Sequence, residues 1–278
     1  MIDRLIDRIK ELKAPVVVGL DPTVDMLDKK PKNIPEAFFE FNCRIIDQVY
    51  DLVPAVKPQI AMYERYGVEG LKAYVQTAEY AQSRGLIVIG DIKRNDIGST
   101  AEGYAAHIDG NLWHEDAVTL NPYLGVDSIM PFLKICEEQD KGIIILVKTS
   151  NPSSVDLQDQ KLENGKLVYE HVGDLVSEWG FDKKLIGKHG YSKVCAVVGA
   201  TFPEQGRALR KRMPHTFFLV PGYGAQGGSG KDLKGFFDKN GLGCIVNSSR
   251  GITAAWKKGI TARQATQEMI ADLQEAIK

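Results

Sequence analysis

Residues 86–93 read LIVIGDIK. Four apolar residues and a glycine run without polar alternation, and then charge appears at Asp91 and Lys93. A short apolar, β-branched run of this kind fits a strand buried on both faces. The pattern occurs twice before it, as PVVVGLD (15–21) and AVKPQI (55–60). It occurs five times after it, as AVTLNPY (117–123), GIIILVKT (142–149), VCAVVGA (194–200), FFLVPGY (217–223) and GCIVNSSR (243–250). Helical patterns separate the runs. PEAFFEFNCRIIDQVY opens with Pro and carries an apolar stripe, and VEGLKAYVQTAEYAQSR stops just before Gly85. VDSIMPFLKICEEQ, PEQGRALRKRM, KDLKGFFDK and TARQATQEMIADLQEAI are the later candidates. Eight strands, each followed by a helix, predict an α/β chain folded as a (β/α)8 TIM barrel, a single domain over residues 1–278. A doubly wound open sheet is the alternative. The count of eight and the lack of a GxGxxG turn after the first run argue against it.

One connection departs from the pattern. Residues 150–193 form the longest gap between runs, with NPSSVDLQDQKLENGKLVYE (151–170) as its polar first part. Asn164-Gly165 is a turn signal. A loop or small hairpin is expected there, followed by a helix from about Val168 to Trp179. Long connections in compact domains are often lids.

The 278 residues suffice for a large core, and 44% hydrophobic with 26% charged residues is ordinary for a globular protein. Lys plus Arg total 35 and Asp plus Glu 36, a formal charge of −1. No global field draws nucleic acid or an anionic membrane, so neither is expected as a partner. An anionic ligand must be held locally. No run approaches membrane-spanning length. The opening MIDRLIDRIKELK has helical charge spacing rather than the features of a signal peptide, so a cytoplasmic location is expected. Cys43, Cys136, Cys195 and Cys244 lie far apart in apolar runs with no CxxC pair, and are read as reduced, buried thiols. The five histidines show no HxH or HExxH spacing, and no metal is expected.

Active sites of such barrels lie at the C-terminal ends of the strands. Polar groups gather there: Asp21 after the first run, Lys57 in the second, Asp91 and Lys93 ending the third with Asp96 beyond, and Asn121 near the end of the fourth. The fifth ends in Lys148, Thr149 and Ser150. Asp91 and Lys93, two apart on a strand, share one face and point into the barrel mouth. A salt-bridge network closing the barrel top is the bland reading of such charges. Five of them converging from three adjacent strands favour a reacting site, because a charged cluster is costly unless it is paired.

The seventh run enters PGYGAQGGSG (221–230), and the eighth ends in Ser248, Ser249 and Arg250. Glycines let backbone N–H groups approach a ligand closely. A following helix N-terminus favours an anion, and barrels often bind phosphate at this place. Arg250 offers a bidentate fork, and Gln226 an amide. A flexible loop beside a surface arginine is the alternative.

GDIKRNDIGSTAEGYA (90–105) resembles the active-site signature of the orotidine 5′-phosphate decarboxylases, including the Asp91–Lys93–Asp96 spacing, Gly98, Thr100 and Ala101. GLDPT (19–23), VKPQIAMYE (56–64), PGYGAQGG (221–228) and NSSRGI (247–252) fit in register. NPYLG and KTSNPSS look like the longer bacterial group of that family. The resemblance implies a cofactor-free decarboxylation of orotidine 5′-phosphate to uridine 5′-phosphate in pyrimidine biosynthesis. It implies that Lys93 donates the proton, with Asp91, Asp96 and Lys57 completing an alternating charged array. Asp21 and Lys57 are implied to bind the ribose hydroxyls, Thr149 and Ser150 to lie near the pyrimidine, and Gln226 and Arg250 to bind the phosphate. A homodimer with shared sites is implied too, with Asp96 and Thr100 entering the neighbour's site.

The chemistry stands on its own terms. Loss of CO2 from a pyrimidine carbon leaves a poorly delocalised carbanion, and no pyridoxal or thiamine motif offers an electron sink. Electrostatic stabilisation is then required. A lysine between carboxylates has its ammonium form favoured, which suits a proton donor. The alternative is a Mg2+-dependent keto-sugar-phosphate decarboxylase or hexulose-phosphate synthase of the same superfamily, which resembles this chain in its Asp-x-Lys-x-x-Asp array. Lys57 stands where such an enzyme would need an acidic ligand.

Overall fold

The computed structural model describes residues 1–27, 31–224 and 227–278. Eight parallel strands close into a barrel in sequence order. They are β1 (Val16–Leu20), β2 (Ala55–Pro58), β3 (Ile87–Arg94), β4 (Ala117–Leu120), β5 (Gly142–Lys148), β6 (Val194–Val198), β7 (Phe218–Val220) and β8 (Cys244–Ser248). Val17 pairs with Ala55 on one side and Asn247 on the other, which closes the ring. The predicted (β/α)8 barrel is the observed fold.

The absence of polar alternation has a direct cause. Val17, Ile87, Ile89, Ile144, Val197, Leu219 and Ile245 pack together inside the barrel. Their neighbours Val16, Val18, Val88, Ile143, Ile145, Val198 and Val246 pack outward against the helices. Both faces are dry, so both are apolar. The first helix, Ile2–Leu12, turns Ile2, Leu5, Ile6 and Ile9 into the inner cluster. It closes the N-terminal end of the barrel: a Cβ on Gly142, the first residue of β5, would lie 2.2 Å from Met1 Cε. The polar strand ends lie at the opposite mouth.

Helix Ile34–Val49 starts at Asn33, whose Oδ1 accepts from the Glu36 amide, and Pro35 fits its first turn. Helix Gly67–Ser83 stops before Gly85, whose φ of 79° is the left-handed conformation glycine adopts readily. Helix Ala262–Ile277 opens on a Thr261–Gln264 capping box. The predicted helix Val168–Trp179 is present, preceded by a small hairpin at Asn164-Gly165 in which Lys161 bridges Leu167. Three expectations are corrected. Several runs extend past their ladders, as in β4, which ends at Leu120 before Asn121-Pro122. KDLKGFFDK yields only the short helix Gly230–Leu233 and a 3-10 turn, Lys234–Phe236. Cys43 is half-buried, whereas the other three cysteines are buried. Among the described residues, no helix is long and apolar enough to cross a membrane.

Candidate active site

Strand parity builds the site. Two residues beyond the apolar inward position, the side chain becomes polar on four of the strands: Lys57 after Ala55, Asp91 after Ile89, Thr119 after Ala117 and Asn247 after Ile245. These four floor a cavity of about 630 Å3 at the C-terminal mouth. Asp21, Lys93, Thr149, Ser150 and Arg250 line it as well. Gly19 of β1 keeps the floor open at one tight point, since a Cβ there would lie 1.9 Å from Ser249 Oγ.

Asp91 is the hub. Its Oδ2 accepts from Lys57 Nζ at 2.8 Å, and its Oδ1 accepts from Thr119 Oγ1 at 2.9 Å and from Lys93 Nζ. Lys57 Nζ also lies 4.0 Å from Asp21 Oδ1, an oxygen that is buried without a hydrogen-bond donor among the described residues. Burial alone would push the Asp91 carboxyl up, but Lys57 and Lys93 hold it far below the usual carboxylate range. Burial likewise opposes the Lys57 ammonium, yet Asp91 and then Asp21 outweigh it and raise Lys57 above its ordinary value. Lys57 is only 6% exposed, whereas Lys93 is 45% exposed and faces the cavity.

The backbone at Lys93 has φ 46°, in the left-handed region. That conformation costs a non-glycine residue about 1–3 kcal/mol and persists only where its surroundings fix it. Here the β3–β4 register shifts between Gly90 and Arg94, and the Lys93 N–H donates to Thr119 Oγ1 at 3.0 Å. Thr119 therefore holds both the backbone of Lys93 and the carboxylate beside its ammonium.

The far wall is a loop after β5, in which Asn151, Ser153, Ser154, Leu157 and Gln158 line the cavity. Gly199 brings β6 against it, since a Cβ would lie 2.8 Å from Ser150 N. At the other end, Gly222, Gly224 and Gly227 have φ of 98°, 68° and 94°, and Arg250 opens the helix Arg250–Thr253 after β8. The expected anion-binding helix end after the glycines is already occupied. Gly230 N donates to Asp272 Oδ2 and Ser229 N to Asp232 Oδ2, each at 2.9 Å. Gln226 lies outside the described residues.

The structure thus brings together Asp21, Lys57, Asp91, Lys93, Thr149, Ser150 and Arg250. Asp96 and Thr100 do not line the cavity. Asp96 Oδ1 accepts from the Ile97 amide at 2.8 Å and makes no ion pair among the described residues, and Thr100 is exposed on helix Gly98–Ala105. Several polar lining residues escape the sequence reading, among them Thr119, Asn247 and Gln158. Thr119 and Asn247 were legible in principle, as polar residues at inward positions of apolar runs. Gln158 was not, because only the loop's path brings it to Thr149.

The orotidine 5′-phosphate decarboxylase / HUMPS family model matches residues 14–265. The chain is 46% identical over 288 residues to the orotidine 5′-phosphate decarboxylase of Petrotoga mobilis, covering 99% of this chain and 98% of that one. It is 46% identical over 256 residues to the enzyme of that name from Rhodopirellula baltica, covering 87% and 84%. Among solved structures it is similar to Leishmania donovani OMP decarboxylase, with a TM-score of 0.83, 31% identity and coverage of 99% and 97%.

Proposed function

The chain belongs to the orotidine 5′-phosphate decarboxylase family, and from that premise we propose how its cavity carries out the reaction. The chain is a carboxy-lyase of pyrimidine biosynthesis that converts orotidine 5′-phosphate to uridine 5′-phosphate and CO2. In our reading the whole chain is one catalytic domain, cytoplasmic and cofactor-free.

The observation that carries the assignment of roles is the exposed Lys93 ammonium bound to an ionised, buried Asp91. The bond between C6 and the carboxylate breaks, CO2 leaves, and the electron pair stays on C6. Lys93 stabilises that pair as a counter-ion and then gives it a proton, which solvent later restores. Asp91 keeps the lysine charged and oriented, and disfavours the substrate's own carboxylate beside it. Its three donors fix it in place, so no reorganisation is needed as charge develops. Lys57 and Asp21 take the ribose hydroxyls, a reading supported by Asp21 bordering the cavity beside Lys57. Thr149 and Ser150 border the pyrimidine. Gln226 and Arg250 hold the phosphate, with the left-handed glycines bringing backbone close to it. Remote binding energy of this sort can raise the rate of chemistry.

The site is completed by a second copy. Asp96 and Thr100 do not line their own cavity, and in our reading they serve the partner's. Ile97, Val126 and Met130, which are 53%, 40% and 53% exposed, line one surface hollow with Gly98 and Glu102, an apolar surface suited to a homodimer interface. The Mg2+-dependent sugar-phosphate alternative is disfavoured by Lys57, which occupies the acidic ligand's place, and by the activity named for the relatives.

The test is Lys93→Ala. Turnover of orotidine 5′-phosphate, followed by ultraviolet absorbance, is abolished, while uridine 5′-phosphate still binds. Turnover like that of the wild type overturns the role of Lys93.

A further inference from the structure

Lys148, the last residue of β5, has a side chain that is 0% exposed. Its Nζ donates to Asp159 Oδ1 at 2.7 Å and to Ser154 Oγ at 3.1 Å. It also lies 4.2 Å from the centre of the Phe202 ring. The next residue, Thr149, makes a second tie. Its N–H donates to Gln158 Oε1 at 2.9 Å, and its Oγ1 accepts from Gln158 Nε2 at 2.7 Å. Two consecutive residues at the strand end thus hold two consecutive residues across the loop, Lys148 with Asp159 and Thr149 with Gln158. The segment between them is closed like an Ω-loop. Ser154 and Gln158 line the cavity, whereas Lys148 and Asp159 do not.

A lysine is almost never fully buried unless paired. A packed apolar side chain is often as stabilising as a buried ion pair, so packing alone gives no reason for this one. What the pair fixes is the position of the loop. We propose that Lys148 is a positioning residue: through Asp159 and Ser154 it pins the 150–158 wall over the cavity before substrate arrives. The proposal rests on the reading of this cavity as the orotidine 5′-phosphate site. A wall ordered in advance spares the substrate the ordering cost, which would otherwise weaken binding. Because the clasp stands outside the reacting array, its loss affects ground state and transition state alike. Such a loss raises KM and leaves kcat nearly unchanged.

The experiment uses Asp159→Ala, which cuts the tie from its partly exposed end. Expected is a rise in KM of about tenfold or more, with kcat within about threefold. Amide hydrogen exchange should quicken over 150–159 and stay unchanged in the barrel strands. A Lys148→Met chain, where it folds, should match it, and the double variant should be no worse than the worse single one. An unchanged KM overturns the proposal whatever the exchange shows. A raised KM with unchanged exchange also overturns it, since Asp159 would then act other than by holding the wall. Failure of the site reading itself would show separately, as Lys93→Ala retaining turnover.

Discussion

Lys57 Nζ and Asp91 Oδ2 meet at 2.8 Å inside the barrel, with 6% and 9% of their side chains exposed. Removing one partner of such a buried pair leaves an uncompensated charge, at a cost of about 3–5 kcal/mol. Asp91→Asn should lose that much stability near neutral pH. The pH dependence follows from the depressed carboxyl of folded Asp91. An unfolded Asp titrates at about 3.9. The ionised Asp91 therefore stabilises the fold fully above that range, and its contribution fades as pH falls from about 5 toward the lower folded value. The gap between Asp91→Asn and wild type should shrink on acidification to about pH 3. Urea unfolding at both pH values measures this. A loss below about 1 kcal/mol at neutral pH would mean that Asp21 alone suffices for Lys57.

Chelation separates two chemistries. Among the described residues, no three His, Cys, Asp or Glu side chains gather as a metal-ligand set, and Lys57 puts an ammonium where an acidic ligand would be needed. EDTA should leave the rate of orotidine 5′-phosphate decarboxylation unchanged. A loss restored by Mg2+ would move the assignment to an enediolate mechanism.

Arg250 is exposed at the cavity rim and makes no ion pair among the described residues, so its charge is available to a ligand. On the proposed role of Arg250, Arg250→Ala removes a charge-assisted hydrogen bond to the phosphate, worth roughly 1.5–3 kcal/mol. At 1.4 kcal/mol per tenfold, kcat/KM should fall by about tenfold or more. Steady-state kinetics decide it, and an effect below about threefold would put the phosphate elsewhere.

The sequence made some of this legible and hid the rest for physical reasons. The barrel could be read because strands buried on both faces write continuous apolar runs. Asp91 and Lys93 could be read because a period of two puts them on one face. Thr119 resembles any β-forming residue in an apolar run, and its two bonds, to the Lys93 amide and to Asp91, appear only once β3 and β4 are paired. The helix end expected to hold an anion after the glycine loop was misjudged because its competitor, Asp272, lies 42 residues along the chain from Gly230. Nor does spacing show that Lys148 faces the loop rather than the cavity. That follows from the register shift between Leu146 and Lys148.

The shared site gives the most discriminating prediction. Asp96 sits three residues beyond Lys93, yet it does not line the cavity that Lys93 enters. Exposed Ile97 and Met130 flank it on a face a second copy can cover. A two-fold dimer exchanges such interactions reciprocally. Lys93→Ala and Asp96→Ala chains should each be nearly inactive alone. Refolded together in equal amounts, random pairing makes about half of the dimers mixed. In a mixed dimer, one site takes Lys93 from the Asp96→Ala chain and Asp96 from the Lys93→Ala chain. That site is intact, and the other carries both lesions. Half the sites in half the dimers then work, so activity should return to about a quarter of wild type. Mixed dimers that form without recovery would show that Asp96 serves its own chain.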